Sequence, residues 1–197
     1  MRGSNKIRVA VEMMSGDNGP EVFIPAAFRA LDNHPNLTLL AVGDEAVLTP
    51  LVTDKPHFVS GRLIIHHASQ VVEMDEKPQT ALRNKRDSSM RVAIKCVKEG
   101  LADSCMSAGN TGALMATARY VLKMLPGIER PAICTSIPSM NNGHVYMLDL
   151  GANVDNTAEH LHQFARMGSL VATAIDENPS PKVALLNIGE EAIKGNE

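Results

Sequence analysis

Residues 104–115 read SCMSAGNTGALM, which we interpret as a short buried strand, a tight glycine turn and the first turn of a helix. Gly109 and Gly112 carry no Cβ, so the backbone can turn sharply there and lie close to a ligand. Asn110 and Thr111 offer a helix N-cap oxygen and side-chain donors. Free N–H groups at the helix start would face an anion, most simply phosphate. An ordinary strand-to-helix turn with a capped helix fits the same residues.

The turn does not carry the signatures of the common nucleotide-binding loops. No Gly-Lys-Ser/Thr follows the glycines, so the stretch is not a Walker loop. It also departs from the Gly-x-Gly-x-x-Gly pattern of dinucleotide-binding folds. The sequence therefore predicts neither a nucleotide nor any other cofactor at this turn.

The amino-acid composition and net charge limit the class of protein to which the chain can belong. The chain has 197 residues, of which 44% are hydrophobic, so we predict a single α/β domain over residues 1–197 rather than a disordered chain. Its net charge of −3 and its 3% of aromatic residues, with no Trp, argue against nucleic acid as a partner. No apolar run approaches the roughly 18 residues of a membrane span. The three cysteines have no Cys-x-x-Cys spacing, which favours a reducing, cytoplasmic setting.

Short apolar runs alternate with amphipathic ones. We predict strands over residues 7–11, 37–42, 63–67, 104–106, 132–137, 145–150 and 183–188. We predict helices from Pro20 to about residue 31, over 45–52, after Pro78, over 89–99, from the glycine turn to about 124, and over 157–177. Asp44 is predicted to cap the helix over 45–52, and either Ser88 or Asp87 the helix over 89–99. Residues 141–143 read as a hairpin-like turn. This alternation predicts an α/β fold with a mostly parallel sheet and helices on both faces.

Polar loops containing glycine follow several of these strands. They are residues 15–18, 107–112, 149–155 and 187–190. Ligands of open α/β sheets bind beyond the carboxyl ends of the strands. If the strands are parallel neighbours, these loops converge on one crevice, which predicts a small-molecule site.

Single polar residues in these loops allow several interpretations. Asp149, Asn153 and Asp155 share one loop, where they can bind a metal, position a donor or cap the helix that begins near Thr157. Asp17, with Asn18, is equally suited to cap the first helix or to bind a ligand. The histidine pairs at 66/67 and 160/162 do not face the same way, so we predict no zinc site.

A basic stretch stands apart from these loops. Its cations are Arg83, Lys85, Arg86, Arg91, Lys95 and Lys98. Such a run is typical of a solvated helix face, and docking of an acidic partner is the alternative function.

Six motifs, read together, resemble one family. They are VVEMDEKP at 71–78, RDSSM at 86–90, SAGNTGA at 107–113, LPGIERP at 125–131, MLDLGANVD at 147–155 and LNIGEE at 186–191. In combination they resemble the bacterial PlsX-type acyl-acyl carrier protein:phosphate acyltransferases, over residues 7–197.

The resemblance implies a fold and an activity. The fold is a three-layer α/β/α sandwich, like those of phosphotransacetylases and isopropylmalate dehydrogenases. The activity is transfer of a long acyl group from acyl-acyl carrier protein to inorganic phosphate, giving acyl phosphate for phospholipid synthesis without a cofactor. The resemblance also implies a cytoplasmic homodimer at the inner face of the membrane, working with a glycerol-3-phosphate acyltransferase.

The same resemblance suggests roles for individual residues. Phosphate is expected in a cradle formed by Ser107, Gly109, Asn110, Thr111 and Gly112, with Lys194 assisting as a point charge. Catalytic roles are expected for Asn110, Lys194, Asp149 and Asn153, with backbone N–H groups or the two Asn side chains stabilising the developing oxyanion. The crevice is expected to be lined by Asp17, Asp155, Asn187 and Glu190.

Two departures from the family pattern leave alternatives open. The family's first loop resembles DAMGGDH, whereas residues 12–18 read EMMSGDN, so Asn18 replaces a histidine. Family chains are also longer, and we expect this chain to be their N-terminal half to two-thirds. The alternatives are an inactive fragment that only oligomerises or binds a partner, and a phosphotransacetylase acting on acyl-CoA.

Overall fold

The computed structural model describes residues 6–140, 143–153, 155–187 and 189, and the chain divides into two units, residues 1–123 and 124–197. The prediction of one domain over residues 1–197 stays a prediction. The elements of the first unit are β1 (Ile7–Glu12), α1 (Pro20–Asn33), β2 (Leu37–Gly43), α2 (Glu45–Val52), α3 (Pro56–Val59), β3 (Leu63–His67), α4 (Pro78–Asn84), α5 (Ser89–Lys98), β4 (Ser104–Met106) and α6 (Thr111–Leu122).

The first unit is built on a four-stranded sheet in the order β3-β2-β1-β4, and all its pairings are parallel. Val9 of β1 lies opposite both Leu39 of β2 and Ser104 of β4. The carboxyl ends of all four strands therefore meet at one edge of the sheet. The loops at residues 13–19 and 107–110 follow neighbouring strands along that edge.

Alternation along the strands explains the three layers. Val11, Leu39 and Ala41 pack against α1 and α2 on one face of the sheet. Ala10 and Leu40 pack against α5 on the other face. Because successive strand residues point to opposite faces, an all-apolar strand requires helices on both sides. The predicted α/β/α layering is confirmed.

The second unit is a hairpin with a long helix. Its elements are β5 (Cys134–Pro138), β6 (His144–Leu148) and α7 (Ala158–Asp176). The two strands pair antiparallel as a separate two-stranded sheet, so this part of the chain does not extend a parallel sheet. None of the helices in the described ranges has the length and hydropathy that crossing a membrane would need.

The predicted strand over 183–188 is wrong for the residues that the structure describes. Residues 183–187 form no strand, and the Val183, Leu185 and Leu186 side chains are exposed. An apolar run becomes a strand only when another strand supplies backbone hydrogen-bond partners. Neither sheet among the described residues includes residues 183–187, and residue 188 lies outside the described ranges.

Two predicted helix caps are corrected. Neither Asp17 nor Asn18 caps α1, which starts after Gly19 at φ +53° without a side-chain cap. Its first residue is Pro20, which has no N–H to satisfy. Asp155 does not cap α7, because Thr157 takes that position and accepts from the His160 N–H. The Ser88 cap of α5, predicted as one of two choices, is confirmed.

Candidate active site

A buried carboxylate organises the carboxyl edge of the first unit's sheet. Glu12 is the last residue of β1 and is fully buried. Its Oε1 accepts hydrogen bonds from the N–H groups of Met14 and Ser15 and from the Ser89 hydroxyl, at 2.6–2.9 Å. Its Oε2 accepts from the Ser107 hydroxyl at 3.0 Å. One side chain therefore ties together the loop after β1, the start of α5 and the loop after β4.

Glu12 is a residue that sequence reasoning missed. In the sequence it appears only as the first letter of the loop motif at 12–18. A charged residue directly after the apolar run at residues 9–11 is the signal, because a buried charge needs several donors around it. No sequence pattern shows which donors those are, since Ser89 and Ser107 lie 77 and 95 residues away.

Ser107 orders the glycine turn. Its hydroxyl donates to Glu12 and accepts from the Gly109 N–H at 3.1 Å. The backbone then approaches the neighbouring loop closely: a Cβ built on Gly109 would lie 2.7 Å from the Ser15 Cβ. A Cβ built on Gly16 would lie 3.5 Å from the Ala108 carbonyl oxygen. The loops after β1 and β4 thus come together, as the sequence analysis expected of parallel neighbours.

Asn110 acts as both helix cap and loop clamp. Its Oδ1 accepts from the Ala113 N–H at 2.9 Å, which makes it the N-cap of α6. Its Nδ2 donates to the carbonyl oxygens of Met74 and Glu76 at 2.9 Å and approaches that of Glu73 at 3.4 Å. Both amide hydrogens are therefore occupied by the 73–76 loop. The geometry makes Asn110 a positioning residue, and the oxyanion role expected of its side chain stays a prediction.

The start of α6 leaves two backbone donors open. The N–H of Thr111 and that of Gly112 have no hydrogen-bond acceptor among the residues that the structure describes. Both residues are exposed. A helix start with free N–H groups and the positive end of the helix dipole is a suitable anion site. This is the part of the predicted phosphate cradle that the geometry leaves available for a ligand.

The 73–76 loop is also held from the other side. Lys85 Nζ pairs with Glu76 Oε2 and donates to the Val71 carbonyl, both at 2.6 Å. The hydrogen bond from Lys85 is the largest of the effects that hold the pKa of Glu76 below its ordinary value. Lys85 and Asn110 together fix the VVEMDEKP segment beside the glycine turn.

Asp149 organises the loop after β6 in the second unit. Its Oδ1 accepts from the Ile133 N–H at 2.8 Å and the Ala152 N–H at 3.3 Å. Its Oδ2 accepts from the N–H and the side-chain amide of Asn153 at 2.7 and 2.9 Å. Burial alone would raise the pKa of Asp149, but hydrogen bonds from Ile133 and Asn153 outweigh it, so the pKa lies below its ordinary value.

The side-chain amide of Asn153 is also used in hydrogen bonds within the protein. Its Nδ2 donates to the Pro131 carbonyl as well as to Asp149, each at 2.9 Å. Both amide hydrogens are used within the loop, as they are in Asn110. The side chain ties residues 149–153 to the end of the LPGIERP segment. Donation from Asn153 to a substrate oxyanion stays a prediction.

The LPGIERP segment is anchored to α7. Gln163 Oε1 accepts from the Glu129 N–H at 2.9 Å, and His160 Nε2 lies 3.1 Å from Glu129 Oε2. His160 Nδ1 accepts from the Thr157 N–H, so the ring proton sits on Nε2 and points at the Glu129 carboxylate. His160 is thus a buried structural histidine of the α7 capping box.

The remaining predicted site residues belong to different units of the chain or lie outside the described residues. Asp17 is exposed in the loop after β1, and Asp155 and Asn187 are exposed in the second unit. The Asp155 carbonyl accepts a hydrogen bond from Arg130 at 3.1 Å. Lys194 and Glu190 lie outside the described residues. Within the described ranges no three His, Cys, Asp or Glu side chains are grouped to hold a metal ion.

These features define an α/β protein in which a glycine turn leads into a helix whose first N–H groups are open. The chain belongs to the family described as fatty acid synthesis protein, whose model matches residues 7–197.

Three relatives from bacteria carry a more particular name. The phosphate acyltransferase of Methylococcus capsulatus is 59% identical over 189 residues, which are 96% of this chain and 56% of the relative. Those of Nitrosococcus oceani and Halorhodospira halophila are each 56% identical, over 97% and 98% of this chain and 56% of their own lengths. The chain therefore spans about half the length of the curated relatives it matches.

Proposed function

We propose that this chain takes part in transfer of a long acyl group from acyl-acyl carrier protein to inorganic phosphate, forming acyl phosphate for phospholipid synthesis. One observation carries the proposal: the open N–H groups of Thr111 and Gly112 at the start of α6, in a chain whose relatives are named phosphate acyltransferases. Phosphate is the simplest anion that such a helix start accepts.

The chemistry needs positioning more than proton transfer. Phosphate is already an anion at neutral pH, and one of its oxygens attacks the thioester carbonyl. The C–S bond breaks as the C–O bond to phosphate is completed, and the carrier leaves as a thiolate that takes a proton from solvent. A thiol of ordinary pKa, about 8.5, leaves without a strong general acid. No nucleophilic side chain is required.

The residues around α6 would then act by holding the cradle. Glu12 and Ser107 fix the glycine turn, and Asn110 and Lys85 fix the neighbouring 73–76 loop. Because the Asn110 side chain is occupied, we assign stabilisation of the developing oxyanion to backbone N–H groups. Lys194, as the sequence suggests, would add a point charge.

The wider setting is part of the same proposal. We infer a homodimer at the inner face of the membrane, which passes acyl phosphate to a glycerol-3-phosphate acyltransferase. The resemblance to the family supports this inference.

The experiment is a phosphate-dependent thiol-release assay. The 197-residue chain is incubated with long-chain acyl-acyl carrier protein, with and without phosphate, and the free carrier thiol and hydroxylamine-trapped acyl phosphate are measured. The proposal expects both products, in equal amounts and only with phosphate. The same assay with acyl-CoA tests the phosphotransacetylase alternative.

The controls separate the alternatives. Folded chain that releases no thiol contradicts activity of this chain and favours a fragment that only binds or oligomerises. Faster release from acyl-CoA than from the carrier contradicts the proposed substrate. Asp44→Ala removes the N-cap of α2, which accepts from the Ala46 N–H at 2.9 Å, and serves as a cap-loss control for variants of Asn110.

A further inference from the structure

Cationic side chains gather on α5 and at the end of α6. A depression of about 340 Å³ between these helices is lined by four cationic side chains and one carboxylate. The lining residues are Arg91, Lys95, Lys98, Glu99, Tyr120, Val121 and Lys123. None of the four cations pairs with a carboxylate anywhere in the described ranges. We call these four cations and Tyr120 the α5–α6 basic surface.

An exposed aromatic ring lies at the centre of this surface. The Arg91 guanidinium lies 5.1 Å from the Tyr120 ring centroid, and the Lys123 ammonium lies 4.8 Å from it. Arg91 also donates to the Leu82 carbonyl at 3.0 Å, which fixes its position. About half of Tyr120 is exposed. A ring flanked by two cations, of which Arg91 is held in place, and open to solvent resembles the Tyr and Arg anchors of protein interfaces.

The surface is built on the two helices that begin at the candidate site. Ser89 opens α5 and donates to Glu12, and Asn110 caps α6. From Thr111 to Lys123 the chain advances about 18 Å at 1.5 Å per residue. A partner seated on the basic surface would therefore lie one helix length from the open N–H groups, within reach of a flexible thioester-bearing arm.

We propose that the α5–α6 basic surface docks the acyl carrier protein through an acidic helix, an inference that rests on the proposed function. Unpaired cations around a concave groove between two helices complement carboxylates on a third helix. A flat anionic membrane would meet the same charges but would not fill the groove, so we favour the protein partner. Of the basic run that the sequence leaves open between a solvated face and a docking surface, Arg91, Lys95 and Lys98 are thereby assigned to docking.

The test reverses positive charges on the α5–α6 basic surface. As a control, it reverses the same number of charges beside the α1 face of the sheet. The variant is Lys95→Glu/Lys98→Glu, with Lys95→Gln/Lys98→Gln as a milder version. The matched control is Arg29→Glu/Lys55→Glu, which makes the same charge change at exposed residues beside the α1 face of the sheet. Binding of acyl-acyl carrier protein is titrated directly at low and high salt, and phosphate-dependent cleavage of a small soluble acyl thioester is measured in parallel.

The expected result is a loss of carrier affinity of about tenfold or more at low salt for the double Glu variant. The double Gln variant loses less, and the differences shrink as salt screens the charges. Cleavage of the small thioester stays at the level of the unaltered chain, as does carrier binding by the control.

Two results would overturn the proposal. One is unchanged carrier affinity in both variants. The other is loss of binding to phosphatidylglycerol vesicles with carrier binding kept, which would make this a membrane surface. If the unaltered chain cleaves neither thioester with phosphate, the proposed function fails, whereas docking is still judged from the binding titration.

Discussion

The Ser107 hydroxyl, in the loop after β4, donates a 3.0 Å hydrogen bond to the fully buried Glu12 carboxylate at the end of β1. The same hydroxyl accepts from the Gly109 N–H at 3.1 Å. This pair connects a buried charge to the turn whose helix start we assign to phosphate. The turn is therefore shaped by a residue 95 positions earlier in the chain.

Replacing Glu12 tests this connection. Glu12→Gln keeps the shape, but its amide group replaces one of two oxygens that together accept four hydrogen bonds. We expect a loss of about 1–3 kcal/mol in the free energy of unfolding, because buried donors lose their acceptor. Chemical denaturation followed by circular dichroism measures it.

The control for Glu12 is Asp103→Asn. Asp103 is exposed and accepts from the Arg8 N–H at 2.8 Å, an acceptor that Asn retains. We expect a change within about 0.5 kcal/mol there. Equal stability of Glu12→Gln and the unaltered chain would mean that the carboxylate does not hold the loops.

The close approach of Gly109 to Ser15 predicts that substitutions at these two positions have coupled effects on stability. Gly109→Ala places a Cβ 2.7 Å from the Ser15 Cβ, so the two loops must separate. We expect destabilisation of about 1–3 kcal/mol from overpacking. Ser15→Gly removes the opposing atoms, so the double variant should recover part of the loss. Additive effects in the double-mutant cycle would show that the loops are not in this contact.

Asn110 combines two roles that substitution can separate. Asn110→Ser keeps a side-chain oxygen that caps α6, but it has no amide to hold the 73–76 loop. We expect Asn110→Ser to raise the phosphate KM and lower turnover about as much as Asn110→Ala does. Steady-state kinetics over a range of phosphate concentrations checks this. Activity in Asn110→Ser equal to that of the unaltered chain would reduce the residue to a helix cap.

The lowered pKa of Asp149 predicts that the second unit loses stability in acid. Its pKa is lowered in the folded chain, so the folded state binds fewer protons than the unfolded state around pH 4. Its contribution to stability is present above the ordinary Asp pKa of about 3.9 and is lost as pH falls through the lowered value. Asp149→Asn should cost about 1–3 kcal/mol at pH 7, and the difference should shrink towards pH 3. A pH-independent difference in unfolding free energy would contradict this role.

Local signals in the sequence were sufficient to predict most helices and strands of the first unit. Apolar runs at 37–42 and 63–67, with Asp44 and Ser88 as caps, predicted elements that the structure contains. The run at 183–188 is predicted as a strand, yet residues 183–187 belong to neither sheet among the described residues. A hydrophobic pattern shows which residues favour burial, but it does not show which element, if any, covers them.

In the candidate site too, local features could be predicted from the sequence and long-range contacts could not. The glycine turn and its helix start were found from Gly109, Asn110 and Gly112, because turn chemistry is local. The Glu12 network and the Asn110 clamp give no local signal, since the partners that connect the separate segments lie 34 to 95 residues away in sequence. The sequence favours Asn110 for its side-chain donors, and the structure shows those donors bound to the protein's own carbonyls.

We propose that phosphate binds the open N–H groups of Thr111 and Gly112 at the start of α6. The decisive measurement is a titration of the 15N-labelled chain with inorganic phosphate, followed by amide chemical shifts. We predict saturable shifts at Thr111 and Gly112, weakened in Asn110→Ala and retained in Asp44→Ala. Saturable shifts confined to other residues, or none at phosphate concentrations that support acyl phosphate formation, would contradict it.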